Sequence, residues 1–136
     1  MKKLILILGL VGFCASSSAE VAVIVSNSSS ISAADVKELE RLYLGKTKKI
    51  GGVNATPVNQ KDGSGAASGF NRAVLNKSNS QIKAYWSKLV FTGKGTPPKE
   101  LDGDAAVIAE VAGNPNLIGY VDAASVTADV KVLGKF

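Results

Sequence analysis

The stretch Asp62-Gly63-Ser64-Gly65 lies between an apolar run at residues 53–58 and a segment at 66–76 whose apolar residues recur at helical spacing. This pattern predicts a strand, a tight turn and the start of a helix. The first N–H groups of a helix have no intrahelical partner, and the macrodipole adds about half a positive charge there. Such a junction can bind phosphate or sulfate. An ordinary turn with a helix cap is the alternative that these residues leave open.

Each residue of this turn has a role in the anion-binding interpretation. Gly63 and Gly65 let the backbone adopt positive φ and approach a ligand closely. Ser64 adds a hydroxyl donor, and Ala66 offers its backbone N–H. Asp62 would shape the turn or accept a proton from hydrogenphosphate. The turn is therefore predicted to bind a tetrahedral oxyanion.

The first nineteen residues have the pattern of a cleavable signal peptide. Lys2 and Lys3 precede an apolar stretch at 4–15 that is too short to span a bilayer, and Ala19 ends a small-residue cleavage pattern. We therefore expect cleavage after Ala19 and a mature domain at 20–136, located in the periplasm or secreted.

Composition excludes several kinds of site. The expected mature domain has 117 of the 136 residues and contains no cysteine or histidine. Disulfides, thiolate or imidazole metal sites and Cys-His or Ser-His catalytic pairs are therefore excluded. We expect no metal, no cofactor and no enzymatic activity. Loss of the two signal-peptide lysines lowers the formal net charge from +5 to +3, a balance that suits small anions.

Strands and helices alternate along the expected mature domain. A β-branched run at 20–25 predicts a strand that is buried on both faces. Helices are predicted from an N-cap at Ser32 to Gly45, at 66–76, from a Ser78–Gln81 capping box to 89, and from Asp102 or Asp104 to Gly113; further strands are predicted at 53–58, 117–121 and 130–133. The alternation predicts an α/β sheet with helices on both faces.

Several conspicuous side chains are interpreted as structural or solvated. Tyr85 and Trp86 follow helical spacing and are predicted to lie in the core, and Tyr120 is predicted to pack within a strand. The aspartates show no pairing that would predict a carboxylate dyad or a calcium loop. Three lysines near a turn have no interleaved aromatic residues, so we expect a solvated surface and no nucleic acid partner: Lys46, Lys48 and Lys49.

A polar loop at 26–30 follows the first predicted strand. Ligands of open α/β sheets gather at the carboxyl ends of strands. If the first strand ends at the same sheet edge as residue 60, Asn27 and Ser28 are candidate secondary donors to the anion. A flexible polar connector is the alternative.

Three segments occur in the order and rough spacing of a known family: Leu42-Tyr43-Leu44-Gly45-Lys46, Asp62-Gly63-Ser64-Gly65 and Ile118-Gly119-Tyr120-Val121. They resemble the periplasmic substrate-binding proteins of phosphate ABC transporters, which have the two-lobed type 2 periplasmic-binding fold. In the full-length family these segments belong to the lobe inserted in the middle of the chain, and 117 residues leave no room for a second lobe. The resemblance therefore implies a single lobe with a mixed sheet.

The resemblance also implies a ligand site. In the family, the matching turn binds phosphate through an Arg two residues before the Asp, through the Ser and Gly of the motif, and through a following Thr. By position Ser64 and Gly65 match, whereas Gln60 stands in place of the Arg and Ala66 in place of the Thr. Gln60 can donate two hydrogen bonds but lacks the charged guanidinium fork, so weaker binding is expected.

The implied function is binding of phosphate or a similar oxyanion, with an ABC permease or a homodimer partner as a further partner. The rival interpretation is an interaction or assembly module that retains the lobe fold without ligand binding. In either case the mature chain is not expected to insert into a membrane.

Overall fold

The structure is a computed structural model that describes residues 20–136, so the predicted signal peptide lies outside the described residues. The order of elements is β1 (Val21–Ser26), α1 (Val36–Tyr43), β2 (Lys49–Ile50), β3 (Val53–Asn54), β4 (Thr56–Gln60), α2 (Gly65–Ala73), α3 (Asn79–Phe91), β5 (Lys99–Leu101), α4 (Asp104–Ala112), β6 (Leu117–Asp122), a 3₁₀ turn (Ala123–Ser125) and β7 (Val130–Lys135). None of the helices in this part of the chain is long and apolar enough to cross a membrane.

The main sheet is mixed, with strand order β5-β4-β6-β1-β7. Strand β4 pairs in parallel with β5 and β6, whereas β1 is antiparallel to both β6 and β7. The carboxyl ends of β4, β5 and β6 therefore share one edge of the sheet, and β1 ends at the opposite edge. A separate hairpin joins β2 to β3 through Gly51 and Gly52.

Strand β1 is buried along its whole length, as its sequence predicts. Val21, Val23 and Val25 face a core that includes residues of α1, α2 and α3. Ala22 and Ile24 face a second core, formed with α4. Both the buried strand and the α/β sheet with helices on both faces are thus confirmed.

Aromatic rings fill the first core. The Phe70 and Tyr120 rings stack with their centroids 4.0 Å apart, and Tyr43 lies 4.5 Å from Phe70. Trp86 is buried, and the Tyr85 hydroxyl donates a hydrogen bond of 2.6 Å to the Leu44 carbonyl. The predictions that Tyr85, Trp86 and Tyr120 pack structurally are confirmed.

Close packing of α4 against the sheet requires a residue without a side chain at position 119. A Cβ atom at Gly119 would lie 2.7 Å from Val107 Cγ1 and 3.2 Å from Val111 Cγ2. Glycine in β6 therefore lets α4 pack directly on the sheet.

The helix boundaries refine the sequence predictions. The N-cap of α1 is Asp35, whose carboxylate accepts a 2.7 Å hydrogen bond from Glu38 N–H, so the prediction of Ser32 as N-cap is wrong. Helix α4 begins at Asp104, one of the two predicted starts. The capping box of Ser78 and Gln81 at the start of α3 is confirmed.

The strand at 53–58 is in fact two strands, because Ala55 separates β3 in the hairpin from β4 in the main sheet. Helix α2 begins one residue earlier than predicted and ends at Ala73, before Asn76 adopts a left-handed φ of 52°. Strand β5 was not predicted.

Candidate anion site at the start of the second helix

The turn between β4 and α2 has the predicted strand-turn-helix geometry. Lys61 N–H donates to the Leu101 carbonyl, which ties the end of β4 to β5, and Ser64 N–H donates to the Lys61 carbonyl over 3.2 Å. Gly63 has the predicted positive φ, 87°. Gly65 does not, because it is the first helical residue; space around it is open, with no atom within 4 Å of a Cβ built there.

Two backbone donors at the start of α2 are available to a ligand. The Ser64 hydroxyl oxygen accepts a 3.0 Å hydrogen bond from Ala67 N–H and so caps the helix. Within the described part of the chain, the N–H groups of Gly65 and Ala66 have no hydrogen-bond partner. These are the unpaired donors that a helix start presents to an anion.

The side chains that were expected to assist are engaged within the protein. Gln60 is 2% exposed, and its amide nitrogen donates to Asp104 Oδ1 over 2.6 Å and to the Tyr120 carbonyl over 3.1 Å. Its amide oxygen accepts a 3.1 Å hydrogen bond from the Ser64 hydroxyl. Both amide hydrogens of Gln60 and the hydroxyl hydrogen of Ser64 are therefore already used. The donors that remain for an anion at the helix start are therefore backbone N–H groups.

Asp104, the first residue of α4, accepts several of the hydrogen bonds in this network. Its Oδ2 atom accepts a 2.6 Å hydrogen bond from the Ser125 hydroxyl, and Oδ1 also accepts one from Asp122 N–H. Asp104 and Ser125 were not predicted as site residues. Asp104 lies three residues after Leu101, so recognition of β5 would have placed it at the carboxyl edge beside Gln60.

The Tyr120 hydroxyl group forms hydrogen bonds with the last two residues of β4. Its hydroxyl donates to Asn59 Oδ1 and accepts a 3.1 Å hydrogen bond from Gln60 N–H. Burial raises the pKa of Tyr120 well above its usual range, opposed by the Gln60 hydrogen bond and reinforced by Glu100. Burial likewise raises the pKa of Tyr43. Both phenols are therefore neutral structural groups at physiological pH.

The charged residues of the turn lie in solvent. Asp62 is exposed, and Lys61 forms an ion pair with Asp102 at 3.6 Å in which both side chains are largely exposed. Such a pair adds little to stability. Lys46, Lys48 and Lys49 are also exposed.

Asn27 and Ser28 do not lie beside the turn after β4, because β1 does not end at the same sheet edge as residue 60. Strand β1 is antiparallel to β6, and β4 is parallel to β6, so the loop after β1 and the turn after β4 lie at opposite sheet edges. The Asn27 amide instead donates to the Ala128 carbonyl over 2.8 Å, and Ser28 N–H donates to Ser26 Oγ. Their assignment as anion donors beside Ser64 is wrong.

Comparison with solved structures identifies the architecture. A phosphate ABC transporter substrate-binding protein from Clostridium perfringens, with bound phosphate, matches with a TM-score of 0.64 at 21% identity over 85% of this chain and 45% of its own. An ABC-type phosphate transport receptor from Vibrio cholerae matches with a TM-score of 0.64 at 14% identity over 85% and 46%, respectively. PstS from Borrelia burgdorferi gives 0.58 at 15% identity over 85% and 47%.

The chain has the fold of a single lobe of such a substrate-binding protein. It spans about half the length of the structures that it matches. No protein-family model matches the sequence, and no curated protein matches it either. The predicted resemblance and fold class are therefore confirmed at the level of the fold, and the likeness is to transport proteins rather than to enzymes.

Proposed function

We propose that the protein binds phosphate or a similar oxyanion at the start of α2, as a non-enzymatic module in the periplasm or outside the cell. The observation that carries the proposal is the pair of N–H groups at Gly65 and Ala66, which have no hydrogen-bond partner within residues 20–136. They lie at the carboxyl edge of the sheet, where ligands of α/β folds gather. The bound phosphate in the similar Clostridium perfringens structure supports the same ligand class.

The proposed roles follow from the hydrogen bonds. Gly65 and Ala66 donate their N–H groups to the anion, and Gly63 provides the turn that exposes them. Ser64 and Gln60 hold the helix start in place, and the Ser64 hydroxyl can turn from Gln60 to the anion. Asp62 would accept a hydrogen bond from the P–OH group of hydrogenphosphate.

The expected affinity is low. A hydrogen bond to a charged group contributes about 1.5–3 kcal/mol, and the helix dipole adds about 0.3–1 kcal/mol. Two such bonds with the dipole correspond to a Kd no tighter than about 10 μM. Binding should weaken as ionic strength rises, because the site is open to solvent.

A pair of variants at one position tests the proposal. Gly65→Pro removes one donor but preserves the helix start, because proline is favoured at the first helical position and Ser64 is extended, with φ −67° and ψ 149°. Gly65→Ala keeps the donor and enters open space. By calorimetric titration with inorganic phosphate, we expect Gly65→Ala to bind like the wild type and Gly65→Pro to bind about tenfold or more weakly.

Two outcomes of this titration would contradict the proposal. Equal affinities for the proline and alanine variants would place the anion elsewhere. Absence of saturable binding in the wild-type protein would favour the rival interpretation, an interaction or assembly module that retains the lobe fold.

The second candidate function is an interaction or assembly module that retains the lobe fold. It is favoured by the closed network of Gln60, Ser64 and Asp104, which satisfies these side chains without a ligand. A homodimer partner or an ABC permease would then cover the exposed surface. Sedimentation velocity with and without phosphate separates the two: association that does not depend on phosphate supports the module, and phosphate-dependent behaviour supports the binding protein.

A further inference from the structure

A pocket of about 660 Å³ lies at the edge of the sheet opposite to the proposed anion site. Thr56, Lys99 and Leu117 line it and are the first residues of the parallel strands β4, β5 and β6, whereas the turn that carries Ser64 follows the last residue of β4. Pockets that enclose organic ligands have volumes of about 300–1,000 Å³. This pocket therefore has room for an organic molecule, and the proposed function does not use it.

Three lysines from separate segments line this pocket. Lys48 precedes β2, Lys94 follows α3 and Lys99 begins β5. Glu110 is the one carboxylate among the described residues that line it. The lining therefore has an excess of positive charge, and we call it the basic pocket.

The positive charges of the basic pocket are not compensated within residues 20–136. In this part of the chain the ion pair joins Lys61 to Asp102, and the lysine side chain that donates a hydrogen bond is that of Lys131. The carbonyl groups at the ends of α1 and α3 are capped by backbone N–H groups, including those of Lys46 and Lys94, so they do not engage the lysine side chains. Uncompensated positive charge in a concave surface attracts anions.

The inner surface of the basic pocket is apolar and aromatic. Leu42, Leu89 and Trp86 contribute to it. A Cβ atom at Gly45 would lie 3.1 Å from Trp86 Cη2, and one at Gly95 would lie 3.4 Å from Trp86 Cζ3, so a side chain at either position would cover this ring. An apolar group that enters the pocket would contact the same surface and leave water.

We propose that the basic pocket binds a small organic anion that has an apolar body and a carboxylate group. The apolar body lies against Trp86 and Leu89, and the carboxylate pairs with the lysines at the exposed rim. A neutral or positively charged ligand would fill the apolar surface but would leave the lysines without a counter-charge. This site is separate from the start of α2 and does not depend on the proposed function.

Binding can be followed through the fluorescence of Trp86, because it is the single tryptophan of the sequence. Three probes share one carbon skeleton and differ in the charge at the end of the chain: phenylbutyrate, phenylbutanol and phenylbutylamine. We expect phenylbutyrate to bind about tenfold more tightly than phenylbutanol, because hydrogen bonds to a charged group are stronger, and phenylbutylamine to bind least well. Of the three affinities, that of phenylbutyrate should fall as ionic strength rises.

Two triple variants with the same change in net charge locate the carboxylate. The pocket variant replaces the three lysines of the basic pocket: Lys48→Gln, Lys94→Gln and Lys99→Gln. The control variant replaces three exposed lysines that do not line it: Lys37→Gln, Lys83→Gln and Lys88→Gln. The pocket variant should bind phenylbutyrate only as well as phenylbutanol, whereas the control variant should keep the preference. Lys83 lines a neighbouring groove that Trp86 also lines, so the control tests whether the fluorescence reports that groove instead.

Several outcomes would overturn this inference. Equal affinities for the three probes would show that the lysines have no role, and absence of saturable binding by every probe would exclude the site. A preference that persists in the pocket variant, or that is lost in the control variant, would place the anion elsewhere.

The variant Gly65→Pro separates this inference from the proposed function. Phenylbutyrate should bind to it as to the wild type, and loss of this binding would place the anion at α2 and overturn the basic pocket. If the wild-type protein binds phenylbutyrate as expected but shows no saturable binding of inorganic phosphate, the proposed function fails and the basic pocket stands.

Discussion

The centre of the sheet and the turn after β4 differ in how completely their backbone hydrogen-bonding groups are paired. In the centre, β1 and β6 are buried between two apolar cores, and their backbone groups are paired along the ladders. In the turn, Gly65 is exposed and two backbone donors have no partner in the described chain. One α/β lobe thus combines the buried centre of the sheet, which we call the scaffold, with the solvent-exposed turn after β4, which we call the open edge.

This difference indicates which substitutions affect stability and which affect binding. Side chains of the scaffold contribute by filling space, so their loss lowers the free energy of unfolding. Groups at the open edge contribute little to folding, so their loss should appear mainly in ligand affinity. Gln60 and Ser64 belong to both regions, because their side chains hold the open edge in place.

The largest effect should come from a matched pair of phenylalanines. Phe70 is fully buried and stacked on Tyr120, whereas Phe91 is 92% exposed. We expect Phe70→Ala to lower the free energy of unfolding by about 3–5 kcal/mol and Phe91→Ala to change it by less than about 0.5 kcal/mol. Urea denaturation followed by circular dichroism measures both. Similar losses in the two variants would contradict the division into scaffold and open edge.

An intermediate effect should follow from a charge placed at residue 60. The Gln60 amide lies 2.6 Å from Asp104, so the guanidinium group of Gln60→Arg can pair with this carboxylate and direct its other N–H groups toward Ser64 and the anion. We expect phosphate to bind about ten- to a hundredfold more tightly, equivalent to about 1.5–3 kcal/mol, in calorimetric titration.

The control for this variant is Gln60→Met, which has a similar length and no donors. It removes the hydrogen bond between Ser64 and Gln60 without adding a charge, so phosphate should bind no more tightly than to the wild type, and a gain in the Gln60→Arg variant is then due to the guanidinium group. A folded Gln60→Arg variant with wild-type affinity would show that the anion does not lie near residue 60.

The sequence predicted the local features of both regions. The apolar run of β1, the capping box of α3 and the strand-turn-helix around Gly63 each depend on residues that are close in the chain. Their apolar periodicity and their capping residues can therefore be recognised in the sequence without knowledge of the fold.

Features that depend on strand direction could not be predicted in this way. Asn27 and Ser28 were misplaced because only the pairing of β1 with β6 fixes the edge at which β1 ends. Strand β5 has three residues and follows two prolines, too short a run for periodicity. Without β5, the meeting of Gln60 and Asp104, which are 44 residues apart, had no sequence signal.

The smallest effect, and the one that separates stability from binding most directly, concerns two helix caps. Ser64 caps α2 with a 3.0 Å hydrogen bond from Ala67 N–H, and Ser78 caps α3 with a 3.2 Å hydrogen bond from Gln81 N–H. Removal of a serine cap costs about 0.5–2 kcal/mol, so Ser64→Ala and Ser78→Ala should each lower the free energy of unfolding by about 1 kcal/mol.

Their effects on phosphate affinity should differ, although their effects on folding are similar. Ser64→Ala frees Ala67 N–H, leaves the Gln60 amide oxygen without its donor and loosens the turn that presents Gly65, so phosphate should bind several-fold more weakly. Ser78→Ala changes a helix start whose cap bonds are exposed and separate from this network, so affinity should stay at the wild-type value. Equal losses of affinity in the two variants would mean that general destabilisation, and not the geometry of the turn, governs binding.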